Sequence, residues 1–309
     1  MTSGTFLANK KVFDLIRELK PQPDLVDVPS DATLEYVFEV LLANDILSVP
    51  VYKAQSQPKR YLGFVTVQDM LHHLFQSHTL ESLRSKPKFL LESVSSALGK
   101  AQSVSKQALA MKGTDDLTVL VRLLSHDLVH RVLVWTDEGA EPYVVSQRDL
   151  VRYFHAHNHE LGKILDLSAP EMTEVNGVTT HVQPISYKTT AWEAFSKLAP
   201  NMLLLAMPVL DDAGSVVASV SASDLRGLNR ARLSDLDRPI VSFLKGSHGA
   251  DNVMPVTCHK HFTLQQIMAA LVLSQAHRIW LCDYEDRVEG VVTLTDVIAV
   301  VDVMTALPE

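Results

Sequence analysis

Four times along the chain a short apolar run leads into a hydroxyl residue, two variable residues, an Asp and an aliphatic residue. The copies span 63–70, 143–150, 218–225 and 290–297, with hydroxyls at Thr66, Ser146, Ser221 and Thr293 and acids at Asp69, Asp149, Asp224 and Asp296. The hydroxyls stand 80, 75 and 72 residues apart. Self-similarity at that period means one supersecondary unit used repeatedly. It also supplies four hydroxyl–carboxylate pairs. A carboxylate is acceptor-only and suits a vicinal diol, which presents two donors.

The same order of elements surrounds each copy. In the first, 25–28 is a short apolar segment, and Leu34, Val37, Phe38, Leu41 and Leu42 fall at helical spacing within 33–43. Residues 47–52 read as a strand in which Pro50 marks an edge or irregular place. Residues 61–66 read as a second strand and 67–75 as a helix. Corresponding helices are read at 117–124, 150–154, 191–198 and 264–273, and strands at 131–135, 207–210 and 279–282. Asp211-Asp212-Ala213-Gly214 is a hairpin turn signal. Four β-α-β-β-α units place the chain in the α/β class. The boundaries are an N-terminal extension 1–24, repeat one 25–78, a linker 79–112 with some helix, and repeat two 113–160. A linker 161–174, repeat three 175–230, a polar loop 231–250 and repeat four 251–309 follow. Consecutive repeats are expected to pair, one with two and three with four.

Composition excludes several functions. The 309 residues are 47% hydrophobic, enough for a buried core. The net charge of −8, with no long basic run, argues against nucleic acid as a partner. Cys258 and Cys282 are the only cysteines, so a disulfide framework is not expected and a reducing compartment is. No apolar run opens the chain, and the most apolar stretches, 202–210 and 291–300, are too short to span a bilayer. A cytoplasmic protein is expected, the nucleus also being open to it. No Gly-rich phosphate loop and no nucleophile–base constellation stands out, so no catalytic residue is assigned and no enzyme is expected. His155 and His159 share a helix face and His157 does not. A solvated helix end explains them without a metal, and Cys258-His259-Lys260-His261 likewise completes no site, so no metal is expected. Trp135, Trp192 and Trp280 read as core or interface residues.

The repeated unit, closed by apolar–[Ser/Thr]-x-x-Asp-aliphatic, resembles the CBS domain over residues 25–305. His277-Arg278-Ile279-Trp280-Leu281-Cys282-Asp283, followed by residues 290–297, is similar to the last repeat of the gamma subunits of AMP-activated protein kinases and their plant and fungal relatives. His130-Arg131 holds the matching place in repeat two, as in that subfamily. The resemblance implies repeats paired into two Bateman modules forming a pseudo-symmetric disc, with adenine nucleotide in clefts between repeats. On that basis Thr66, Asp69, Ser146, Asp149, Ser221, Asp224, Thr293 and Asp296 are the ribose candidates. His130, Arg131, His277 and Arg278 are the phosphate candidates, and Arg148 on the second closing helix is a further one, although exposed arginines are more often simply solvated. The implied function is a non-catalytic regulatory subunit sensing AMP, ADP or ATP, with no cofactor and with kinase alpha and beta subunits as partners. The alternative is a stand-alone CBS scaffold with partly degenerate clefts that regulates a phosphatase or metabolic enzyme. Departures from the family pattern are Leu47-Ser48, where the kinase gamma subunits usually carry a basic residue, Asp149, kept where the animal gamma subunits have lost the acid, Ala218 in place of the usual Gly, and the fully apolar strand 204–208 of repeat three.

Overall fold

A computed structural model describes residues 6–20, 25–85, 88–99, 110–136, 141–176, 182–201, 203–248 and 253–306. The ends of the N-terminal extension and parts of the 79–112 linker and the 231–250 loop lie outside the described residues. The order opens with α1 (Val12–Leu19). Repeat one is β1 (Val28–Pro29), α2 (Leu34–Ala43), β2 (Ser48–Tyr52), β3 (Tyr61–Thr66) and α3 (Val67–Ser77). Short helices α4 (Leu80–Ser85) and α5 (Lys88–Leu91) follow. Repeat two is β4 (Ala110–Lys112), α6 (Leu117–Leu124), β5 (Arg131–Trp135), β6 (Tyr143–Ser146) and α7 (Gln147–Ala156). Then come α8 (Asn158–Leu161) and α9 (Ala169–Asn176). Repeat three is β7 (Ile185–Ser186), α10 (Ala191–Leu198), β8 (Ala206–Leu210), β9 (Val216–Ser221) and a single 3₁₀ turn, Ala222–Leu225. A 3₁₀ segment Arg230–Asp237 and α11 (Ile240–His248) lead to repeat four: β10 (Thr257–Cys258), α12 (Leu264–Ser274), β11 (Arg278–Cys282), β12 (Val288–Thr293) and α13 (Leu294–Ala306).

Each repeat builds one three-stranded sheet with the middle strand of the repeat at its centre, parallel to the first strand and antiparallel to the third. Pro50 therefore lies in a central strand rather than at an edge, beside the irregularity of the antiparallel ladder at Val51/Tyr52. Its missing N–H costs nothing on the parallel side, because β1 reaches only Val51 and Tyr52. Pro208 is accommodated in the same way, since β7 pairs only with Val209 and Leu210. The helices start on caps written in the sequence. Thr33 accepts from the Tyr36 N–H, and Thr190 with Glu193 and Thr263 with Gln266 form capping boxes. Such caps are worth about 1 kcal/mol each.

Three segments read as extension, linker or loop are helical. α1 hydrogen-bonds to repeat two, Val12 N–H donating to the Asp115 carbonyl and Phe13 N–H to that of Gly113. The 161–174 segment contains α8's end, a 3₁₀ turn and α9. The polar 231–250 stretch is the Arg230–Asp237 turn and α11, whose Ile240, Phe243 and Leu244 are buried. Polar composition hid these because each helix buries only one narrow stripe.

The chain divides into two compact units, and neither is a pair of consecutive repeats. Unit 1 comprises Met1–Leu25, Gln107–Val182 and Pro255–Glu309, uniting repeats two and four. Unit 2 comprises Val26–Lys106 and Gln183–Met254, uniting repeats one and three. Helix packing decides this grouping: α7 packs on α12 and α13 within unit 1, and α3 packs on the Ala222–Leu225 turn within unit 2. Unit 2 closes over Phe38, Phe89, Phe195 and Phe243. Unit 1 closes over Leu15, Phe154, Ile267, Ile279 and Val297, among others. No helix among the described residues is long and apolar enough to cross a membrane.

Candidate functional site

All four signature acids fold in the same way. The chain turns from a strand into a helix or 3₁₀ turn at the hydroxyl residue, which becomes the N-cap. Oδ2 of the Asp three residues on accepts from the N-cap backbone N–H, at 2.9 Å for Thr66, 2.8 Å for Ser146, 2.6 Å for Ser221 and 2.7 Å for Thr293. The hydroxyls donate to the same oxygen. A hydroxyl–x–x–acid spacing thus satisfies helix-terminal donors that would otherwise be orphaned. It also sets a carboxylate at a positive helix end.

Strand register explains why repeats two and four differ from one and three. The residue directly across the antiparallel ladder from the hydroxyl is Ser48, Arg131, Ala206 or Arg278 in the four repeats in turn. In repeats two and four the preceding His carbonyl accepts the N–H that follows the hydroxyl: Gln147 N–H to the His130 carbonyl at 3.0 Å, Leu294 N–H to that of His277 at 3.1 Å. Each His-Arg pair is thereby pinned beside a helix N-terminus by backbone bonds. Both pairs lie in unit 1.

Side chains join the two repeats there. Gln147 Nε2 donates to the Leu124 carbonyl and to Thr295 Oγ1, both at 2.9 Å, tying the start of α7 to the start of α13. Arg148 Nη2 donates to the Gln275 carbonyl at 2.5 Å and lies 2.9 Å from His277 Nε2. His130 Nε2 lies 2.8 Å from the Asp127 carbonyl. Arg148 therefore belongs with the His-Arg pairs, whereas Arg152 is exposed and solvated.

The electrostatics follow from that crowding. Loss of water around the ring, then the Arg131 and Arg278 charges, push His130 down to about 4, against the hydrogen bond to Asp127. Burial, followed by Arg148, Arg278, Arg131 and His130, takes His277 down to about 3. Both imidazoles are thereby held toward the neutral form, and the positive charge here comes from the guanidinium groups of Arg131, Arg148 and Arg278. Asp296 is pushed up to about 6, chiefly by burial, against its bonds from Thr293 and with a small contribution from Asp127.

The acids are not equivalent. Asp69 is completely buried, while Asp149, Asp224 and Asp296 retain a few per cent exposure. Asp149 has its second oxygen engaged: Lys20 Nζ, just past α1, lies 3.2 Å from Oδ1. Lys20 went unnoticed in the sequence because it sits in the N-terminal extension, far from any signature. Gln147 was passed over as one of two variable positions, although its amide joins two repeats. Trp280 is buried and Trp192 packs on Phe75 at 4.2 Å, as core residues should.

The CBS domain family model matches residues 16–76 and 250–303. Among proteins of known annotation, the chain is 26% identical to the SNF1-related protein kinase regulatory subunit gamma-like PV42b of Arabidopsis thaliana, covering 97% of both chains. It is 23% identical to the 5'-AMP-activated protein kinase subunit gamma-3 of Bos taurus, covering 86% of this chain and 53% of that one. Among solved structures, protein MJ1225 from Methanocaldococcus jannaschii superposes with a TM-score of 0.69 at 14% identity, covering 94% of this chain and 99% of that one. Two segments of the chain thus match the CBS domain model, and the whole resembles kinase gamma-like subunits in sequence and MJ1225 in fold.

Proposed function

We propose that the chain is a regulatory, non-catalytic protein that binds an adenine nucleotide in unit 1. The phosphates meet Arg131, Arg148 and Arg278, with His130 and His277 as neutral hydrogen-bonding partners. The ribose is held at Asp296 beside Thr293. The observation that carries this reading is the convergence of two His-Arg pairs and Arg148 on the N-termini of α7 and α13. Planar guanidinium forks and helix N-termini are each suited to phosphate oxygens. Asp149 and Ser146 form the second ribose position once Lys20 is displaced. In unit 2, Ser48 and Ala206 replace the arginines, and Asp69 is sealed. There Thr66, Asp69, Ser221 and Asp224 act as helix caps, and we place no ligand on them.

The gamma-subunit relatives extend the reading to a partner: the alpha and beta subunits of a kinase of the AMP-activated type, with AMP, ADP or ATP as the regulatory ligand. A ligand shifts a protein only by its differential affinity for two states. The alternative, a CBS scaffold for a phosphatase or metabolic enzyme, draws support from unit 2, where Ser48 and Ala206 stand at the register positions that the arginines hold in unit 1.

Calorimetric titration with AMP, ADP and ATP, with GTP and S-adenosylmethionine as controls, tests the ligand. Arg278→Ala and Arg131→Ala should each weaken binding about 10- to 100-fold, since a charge-assisted bond is worth about 1.5–3 kcal/mol. Absence of binding at millimolar adenine nucleotide ends the reading. Affinity capture from cells separates the partners: recovery of kinase alpha and beta subunits supports the subunit, and their absence with a phosphatase in their place supports the scaffold.

A further inference from the structure

We propose that His73, His78 and Glu92 form a binding site for a divalent transition-metal ion of the zinc type, in unit 2 and apart from the nucleotide residues. His73 lies in the last turns of α3, His78 is the residue that ends that helix, and Glu92 follows α5. The three donor atoms all lie within 4.8 Å of one another, and among the described residues this is the one His/Cys/Asp/Glu group so arranged. His73 Nε2 is 2.6 Å from Glu92 Oε2, and His78 Nε2 is 3.0 Å from Glu92 Oε1. The two imidazole side chains are only 8% and 13% exposed. Phe89 packs against both rings, at 6.0 and 5.6 Å between centroids.

A hydrogen-bonded His–Glu–His network would account for the cluster if both imidazoles addressed the carboxylate properly. Only His73 does. His78 Nε2, buried and 3.0 Å from a carboxylate oxygen, makes no directed hydrogen bond. Two ring nitrogens and a carboxylate are thus brought within 4.8 Å of one another from two chain segments, beyond what hydrogen bonding uses. Two imidazoles and a carboxylate are a zinc donor set, with Zn–N of about 2.0–2.1 Å, so small ring movements bring all three into the shell. Nitrogen-rich sites favour zinc, cobalt, nickel and copper over magnesium or calcium. The second Glu92 oxygen or a water completes four-coordination. Sequence inspection missed the site because its donors are scattered at 73, 78 and 92, unlike the compact tracts at 155–159 and 258–261.

The test uses the untagged, full-length chain, stripped with chelator and titrated with Co²⁺. One Co²⁺ per chain should bind with the visible absorption of a four-coordinate site, and one equivalent of Zn²⁺ should bleach it. Glu92→Gln, which keeps the shape of the side chain, and His78→Ala should each weaken Co²⁺ binding by about 100-fold or more, the upper end of what losing even an indirect partner of a ligand costs. Circular dichroism should be unchanged, and His159→Ala should bind as the parent does. No saturable Co²⁺ binding by the parent chain, or binding that survives both Glu92→Gln and His78→Ala, overturns the proposal. Adenine-nucleotide titrations of the same samples report separately on unit 1.

Discussion

An acid that closes a capping box has one oxygen committed to the backbone, so what distinguishes the four signature acids is the fate of the other. For Asp149 it is Lys20. A ribose entering there must displace an ammonium that is itself held by α1. Lys20→Ala should therefore strengthen adenosine binding at repeat two, or expose a second site in calorimetric stoichiometry, while leaving Asp296→Asn as damaging as before. Protonation provides a second test. His130 and His277 have an ordinary value of 6.5 and folded values of about 4 and about 3. Between those limits the unfolded chain holds more protons, so their contribution is complete above about 6.5 and is lost as the pH falls toward 4 and then 3. Asp296 acts oppositely: lifted from 3.8 to about 6, it costs stability as the pH rises through that window. Two imidazoles outweigh one carboxyl, so urea midpoints should fall from pH 6.5 to 4.5, each unit of depression being worth about 1.4 kcal/mol. His130→Gln with His277→Gln should flatten or reverse that slope. The residue types at this site were legible from the chain alone, because a hydroxyl–x–x–Asp phrase recurs and His-Arg precedes two of the middle strands. Their protonation was not, since it depends on which guanidinium groups the fold brings alongside.

At the scale of elements, the four β-α-β-β-α units were readable because each carries alternating apolar strands and a Thr- or Ser-capped helix start. Of the helices outside the repeats, some helix was readable in the 79–112 linker, where α4 and α5 lie, but α1, α9 and α11 were not, because they gain their stability by lying against a repeat rather than from their own pattern. The same limit applies to Gln147. Nothing in its sequence neighbourhood says that its amide reaches the Leu124 carbonyl and Thr295. Gln147→Leu keeps the volume and removes both donors, leaving a buried carbonyl and hydroxyl poorly satisfied. Urea unfolding should show a loss of about 1–3 kcal/mol. Gln68 in repeat one, which stands one place further from its hydroxyl residue than Gln147 does, makes only a 3.4 Å contact with the Leu198 carbonyl, and Gln68→Leu should cost less. Equality of the two would remove the special role given to the α7–α13 junction.

For the molecule as a whole, the grouping of repeats two with four and one with three was the feature least open to reading, because sequence adjacency favours the opposite pairing and helix packing overrides it. Its functional consequence is that the cationic residues fall in one unit. Hydrogen exchange with and without AMP should slow amides at the starts of α7 and α13 and in β5 and β11, and leave α2, α10 and the sheets of unit 2 unchanged. Protection centred on unit 2 would contradict the assignment of the ligand.

The interleaved composition of the units also bears on how the chain is born. Unit 1 draws on three separate stretches, the last of them Pro255–Glu309. On a translating ribosome, repeat two must wait through the synthesis of all of repeat three before α12 and α13 arrive to cover α7. During that interval its apolar helix face is open to solvent and to neighbours on the same polysome, the circumstance in which nascent chains recruit holdases or misassemble. A messenger truncated upstream of the segment that encodes Pro255–Glu309 leaves that face uncovered for good, and its product should be a target for degradation rather than a half-active fragment.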